Sequence, residues 1–210
     1  MEDLYLIVGI VIITLLCLFL IIYFLWRSDS PLFRRKPKDL PDAKKADKPL
    51  GAARRMALMN GYQVISPACL AKDGKLADLD FILVGTFGVL CVKCVGRGGS
   101  IYGSAGDAMW LQVKNQDRIS FANPILEAER DTRLVRDILF SAKLKNIPVE
   151  TVCVFTNLHA TLALPRSTGH YTLKEFRALL GKDRLQQDKR VDIDAAAQAV
   201  KAALAPPAQA

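Results

Sequence analysis

The chain has 210 residues, 51 % of them hydrophobic and 24 % charged, with a formal net charge of +8. That hydrophobic share excludes a wholly disordered chain, and the length allows one domain of ordinary size plus an appendage. Five cysteines, only two histidines and a single Cys-x-x-Cys argue against a zinc-built or disulfide-built fold.

The first element is a stretch without charge from Leu4 to Trp26. At about 23 residues it is long enough to span a hydrocarbon core of roughly 30 Å as a helix. Tyr5 lies near one end and Tyr23 and Trp26 near the other, as interfacial anchors do. Glu2 and Asp3 precede it where a signal peptide would carry basic residues, and no small-x-small cleavage site follows. Residues 4–26 therefore predict a single transmembrane helix. The residues that follow are rich in cations, among them Arg27, Arg34, Arg35, Lys36 and Lys38. The positive-inside rule then puts the N-terminus outside the cell membrane and the remaining domain on the cytoplasmic side. Reduced, buried thiols at Cys69, Cys91, Cys94 and Cys153, all in apolar surroundings, suit that compartment.

Residues 27–49 read as a basic, proline-rich linker. Pro31, Pro37, Pro41 and Pro49 among alternating Lys and Asp predict an extended, mobile segment. A domain over 50–182 follows, then an alanine-rich helix and tail over 183–210. A helix is predicted from Leu50 to Asn60, ended by Gly61, and a strand from Tyr62 to Leu70. Lys72-Asp73-Gly74-Lys75 is a hairpin turn between that strand and the next, at 76–84. Another strand is expected at 88–95. The glycine-rich stretch Gly96–Gly106 lacks the lysine and strand-to-helix context of a phosphate loop and reads as turns around a short strand at Ser100–Tyr102. A strand at Met109–Val113 precedes Asn123-Pro124, which opens a long helix running to about Lys145. Val149–Thr156 is a continuous apolar run of the buried-strand kind, and Leu162–Leu164 suggests a short strand. Helices are predicted at Leu173–Leu180 and Asp192–Leu204. The sum is an α/β domain with a mixed, hairpin-built sheet flanked by helices.

Chemistry concentrates in the hairpin at 79–95. Strand side chains alternate faces, so Cys91, Lys93 and Val95 share one face, Val92 and Cys94 the other, and Asp78 shares a face with Asp80. The Cys91-Val92-Lys93-Cys94 pair thus points its thiols to opposite faces, against a zinc or redox role. Asp80 and Lys93 are placed to form an ion pair. Both carboxylates also suit an ordinary half-exposed strand, and Lys93 a charge guarding a sheet edge.

Leu79-Asp80, the turn Thr86-Phe87-Gly88, Gly99-Ser100-Ile101, Trp110 and Asn123-Pro124-Ile125-Leu126 occur in the order found in the nuclease-related (NERD) domain, a branch of the PD-(D/E)xK nuclease fold, which this segment resembles. The resemblance covers roughly Gly51 to Leu180 and implies a restriction-endonuclease-like domain that binds Mg²⁺ through carboxylates and cuts nucleic acid. It also implies a degenerate site. The family Glu-x-Lys falls on Lys93 and Val95, the early helical Glu has no match in Gly51-Ala52-Ala53-Arg54-Arg55, and Asp80 alone of the acidic and basic set carries over. A lysine in place of a metal carboxylate repels a divalent cation. The resemblance thus implies a pseudoenzyme with relic positions Asp80, Lys93 and Val95 and no cofactor. The other reading is a migrated site using Mg²⁺, with Asp78, Glu127 or Glu129 as the second acid and Lys93 or Lys114 as the base.

Three functions compete. One is a membrane-anchored module that binds a protein or nucleic-acid partner without cutting. Another is a membrane-associated DNase with a rearranged site. The third is a structural scaffold. Arg54, Arg55, Lys93, Arg130 and Arg133 are the candidate nucleic-acid contacts, although Glu127, Glu129, Asp131 and Asp137 interleave with the helical arginines as on a salt-laced solvent face. No small-molecule site is evident, and His159 and His170 lie in predicted loops without a nucleophile motif.

Overall fold

The computed structural model describes residues 2–27 and 38–205, and the chain divides into two compact units, Met1–Lys36 and Pro37–Ala210. The first contains helix α1, Glu2–Arg27. Its side chains from Val11 to Tyr23 are exposed. Among the described residues no helix is long and apolar enough to cross a membrane. The helix expected over residues 4–26 lies within α1, and its passage through a membrane finds no support in the structure.

The second unit carries α2 (Asp42–Lys45), α3 (Asp47–Asn60), β1 (Gln63–Ile65), β2 (Ala68–Lys72), β3 (Lys75–Leu79), β4 (Phe81–Gly85), β5 (Gly88–Val95), β6 (Gly99–Tyr102), β7 (Met109–Lys114), β8 (Asp117–Ala122), α4 (Pro124–Ser141), β9 (Val149–Phe155), β10 (Ala160–Ala163), β11 (His170–Thr172), α5 (Leu173–Leu180) and α6 (Ile193–Ala202). Five strands form the main sheet in the order β1-β4-β5-β9-β11. It is mixed: β1, β4 and β5 pair antiparallel, while β5, β9 and β11 pair parallel. Both faces of β5 are covered, which is why its sequence is a nearly unbroken apolar run. On one face Phe81, Leu83, Val92 and Val154 pack against Ala53 and Met56 of α3 and Phe176 and Leu179 of α5. On the other, Ile82, Val84, Val89 and Cys91 pack against Val135 and Ile138 of α4 and Ala197 and Val200 of α6. A second sheet, β10-β6-β7-β8, closes the end of β5 through Ile101, Trp110 and Phe121 packed on Val95 and Phe155. The unit thus carries its own core.

Local chemistry sets the helix ends. The Asn123 side chain accepts the Ile125 N–H at 3.0 Å, with Pro124 in the first turn of α4. Thr172 and Glu175 form a reciprocal capping box at α5. Gly61, at φ 70°, ends α3 as expected.

Several expectations need correction. Within the linker expected over 27–49, α2 begins at Asp42 and α3 at Asp47, and the part over 28–37 lies outside the described residues. The strand expected at 62–70 breaks at Ser66-Pro67, where proline lacks a donor, into β1 and β2 in different sheets. The strand at 76–84 breaks at Asp80, so Asp78 lies in the β2-β3 hairpin and does not continue one strand face with Asp80. Strands β8 and β11 were not foreseen, and β11 carries half-buried His170 out of its predicted loop. The C-terminal helix expected over Asp192–Leu204 packs into the core, with Ala196, Ala197 and Val200 fully buried. Cys69 is exposed, 3.4 Å from Asp78 Oδ1, and not buried in apolar surroundings. Cys91 and Cys94 do point to opposite faces, and burial pushes the thiols of Cys91 and Cys153 up to about 12, far from a nucleophile's range.

Candidate functional site

β5 is the middle strand of five, so Lys93 guards no edge. Its side chain, 13 % exposed, projects on the α4 side of the sheet. There the ammonium donates to the Asp78 carbonyl at 2.9 Å and lies 3.5 Å from Asp131 Oδ2, 3.9 Å from Glu127 Oε2 and 4.0 Å from Asp78 Oδ2. Asp131 is the buried member, with its side chain 1 % exposed. Its Oδ2 also accepts the Asp78 N–H at 3.3 Å, and its Oδ1 accepts from Arg130 at 3.1 Å. The helical charges are therefore not a uniform solvent face, because Asp131 turns inward beside Ala128 and Thr132.

Asp80 stands at the break between β3 and β4, and its N–H donates to Val92 O at 3.1 Å. The expected ion pair with Lys93 is absent. The Asp80 carboxylate instead accepts the Cys94 N–H at 2.6 Å through Oδ2, and Lys45 Nζ lies 3.5 Å from Oδ1. Burial raises the Asp80 carboxyl above its ordinary value, although the Cys94 N–H and Lys45 oppose it. For Lys45 burial works downward, and the charges of Asp80 and Asp42 outweigh it and raise the ammonium. The third relic position, Val95, is a core residue packed with Ile101 and Trp110.

Lys45 is delivered by a strap that the sequence reading assigned to the linker. The Lys38 carbonyl accepts Asn157 Nδ2 at 2.8 Å, and the Leu40 N–H donates to Gly96 O at 2.7 Å. Asp39 Oδ1 accepts both the Gly98 N–H and Gln112 Nε2 at 2.8 Å, while Oδ2 takes the Lys114 ammonium. Burial alone would raise Asp39, but the Lys114, Gly98 and Gln112 hydrogen bonds hold it below the usual carboxylate range. A Cβ at Gly98 would meet Lys38 O at 3.0 Å, and one at Gly96 would meet Leu40 Cβ at 3.0 Å, so these glycines admit the strap. Strap, β5 and α4 together wall a cleft of 550 Å³ that includes Lys45, Lys93, Glu127 and Arg97, whose guanidinium lies over the Phe121 ring at 4.2 Å.

The candidate residues are distributed as follows. Asp78 and Glu127 do meet Lys93, as a migrated site would require. Glu129 lies elsewhere, in a cleft with Arg133 and Arg136, and Lys114 is engaged by Asp39. The proposed nucleic-acid contacts split. Arg54 and Arg55 are exposed on α3, on one side of the main sheet, and Arg130 and Arg133 lie on α4, on the other. Lys93, enclosed by acids, joins neither pair. Asp131, Asp39 and Lys45 were missed. Asp131 had a readable signature, a carboxylate on the apolar stripe of α4, whereas Asp39 and Lys45 had none.

This donor set does not fit a divalent cation. A hard ion needs several oxygens free to converge on it. Asp80 has one oxygen on a backbone N–H and the other on Lys45, and the remaining acids converge on the Lys93 ammonium. Among the described residues no three of His, Cys, Asp and Glu are grouped to hold a metal ion.

A family model described as nuclease-related domain matches residues 46–156. No curated protein matches the chain.

Proposed function

This chain belongs to the nuclease-related domain family, and on that premise we propose that it is a membrane-anchored pseudoenzyme whose domain binds a protein or nucleic-acid partner without cutting. The observation that carries the inactive reading is Lys93 with its ammonium 3.5 Å from Asp131 and 3.9 Å from Glu127. A tethered cation neutralises the acids that a metal ion would otherwise bridge. Lys45 does the same for Asp80, and Val95 offers no amine to position water or stabilise developing charge.

The anchoring reading rests on the charge-free residues 4–26, within helix α1. The basic residues that follow favour an outside N-terminus and a cytoplasmic domain at the cell membrane. Alkaline extraction of membranes from expressing cells tests it; the chain stays in the pellet if the helix is inserted.

The test of inactivity is a Mg²⁺ and Mn²⁺ titration read by thermal unfolding, with plasmid and linear DNA cleavage in parallel. Neither ion shifts the midpoint and no DNA is cut. Cleavage abolished by Asp80→Ala, or by Glu127→Gln, establishes the working nuclease instead. That second reading draws on one observation, the meeting of Asp78 and Glu127 at Lys93.

A further inference from the structure

Helices α3 and α5 lie side by side on one face of the main sheet, and what they turn outward is not used by the site described above. Along α3 the inward residues are Ala52, Ala53, Met56 and Ala57. Helical periodicity then sends Arg54, Arg55, Leu58 and Met59 outward. Leu58 is 86 % exposed and Met59 84 %, more than any other large apolar side chain described. Beside them α5 presents Lys174 and Arg177, both exposed. Among the described residues none of these four cations has an acidic partner. The acid of α5, Glu175, is already taken by Arg166 and by the Thr172 N–H.

We infer that the outer face of α3 and α5 is a docking surface for an anionic lipid bilayer, with Arg54, Arg55, Lys174 and Arg177 meeting phosphates and Leu58 and Met59 entering the headgroup boundary. Free cations and bare aliphatic side chains within one helical turn match what an interface offers, negative charge above hydrocarbon. Nucleic acid explains only half of this surface. Phosphates would satisfy the arginines, but Leu58 and Met59 offer no aromatic ring for a base to stack on. The chain itself argues for lipid, since α3 begins at Asp47, some twenty residues after α1 ends at Arg27. The inference deepens the anchored reading and rests on it for its setting.

The experiment uses residues 37–210, the unit with its own core, so that the apolar helix cannot contribute. Vesicle sedimentation compares phosphatidylcholine with the same lipid containing about 30 % phosphatidylglycerol, at physiological salt. The fragment binds the anionic vesicles, and binding weakens roughly tenfold or more in Arg54→Glu/Arg55→Glu, in Lys174→Glu/Arg177→Glu and in Leu58→Ser/Met59→Ser. Arg130→Glu/Arg133→Glu, on the far side of the sheet, leaves it unchanged. All the substituted side chains are exposed, and an unchanged unfolding midpoint verifies each variant. Absent vesicle binding, equal binding by every variant, or binding to duplex DNA that Arg54→Glu/Arg55→Glu abolishes while vesicle binding persists overturns the proposal. Alkaline extraction of the full chain reads the anchor alone, so either idea can fail while the other stands.

Discussion

Lys45 Nζ lies 3.5 Å from Asp80 Oδ1, which ties a residue of the strap to the one acid that the family pattern carries over. The Lys45 side chain is 20 % exposed and that of Asp80 11 %. Desolvation at this depth removes much of what the attraction returns, which is why Asp80 is still raised. The pair is better understood as local neutralisation than as a source of stability.

Asp80→Asn tests that point through its pH dependence. A carboxyl raised in the folded state holds its proton longer than it does in the unfolded chain, so stability is lost as pH rises from the unfolded value through the folded one. Asparagine keeps an oxygen for the Cys94 N–H. The midpoint of the variant relative to the native chain therefore becomes more favourable as pH rises from about 4 to about 7. A difference that moves the other way assigns Asp80 a net stabilising charge.

Lys93→Met leaves Asp131 buried with only Arg130 to balance it. The expected loss is about 2–3 kcal/mol in urea unfolding. Combined with Asp131→Asn, the cycle gives a coupling of roughly 1–2 kcal/mol. Additivity of the two changes means that the 3.5 Å approach contributes nothing.

Gly98→Ala pushes a methyl group toward Asn157 Nδ2 at 2.9 Å and Lys38 O at 3.0 Å. Backbone yields less readily than a flexible side chain, so the strap lifts, at a cost of about 1–3 kcal/mol. Limited proteolysis then cuts near residues 38–45 faster in the variant. Equal cutting rates indicate that the strap is held by its charges alone.

Glu175 provides the clearest acid-side marker. Its carboxyl is lowered to about 2, first by the Thr172 N–H, then by Arg166 and the Thr172 hydroxyl. A depressed carboxyl contributes fully above its unfolded value of about 4.3 and loses that contribution as pH falls toward the folded one. Glu175→Gln therefore destabilises at pH 7 and converges with the native chain near pH 2. Solvent screening keeps the effect small, since the side chain is 34 % exposed.

The sequence by itself determined the features that depend on neighbours along the chain. Periodicity and end chemistry located the helix ending at Gly61 and the one opening at Asn123-Pro124. Alternation separated Cys91 from Cys94, and the order of short motifs pointed to the nuclease-related family. Tertiary structure alone decided which charges meet. Lys93 and Asp80 are close in sequence within the hairpin, and local geometry alone would pair them. The buried Asp131 of α4 claimed the lysine, and a strap delivered Lys45 to the aspartate, some 35 residues along the chain. The same applies to the arginines, because the sheet sends α3 to one face and α4 to the other. Pairing between charges is set by packing and desolvation across elements distant in sequence, and no local pattern encodes it.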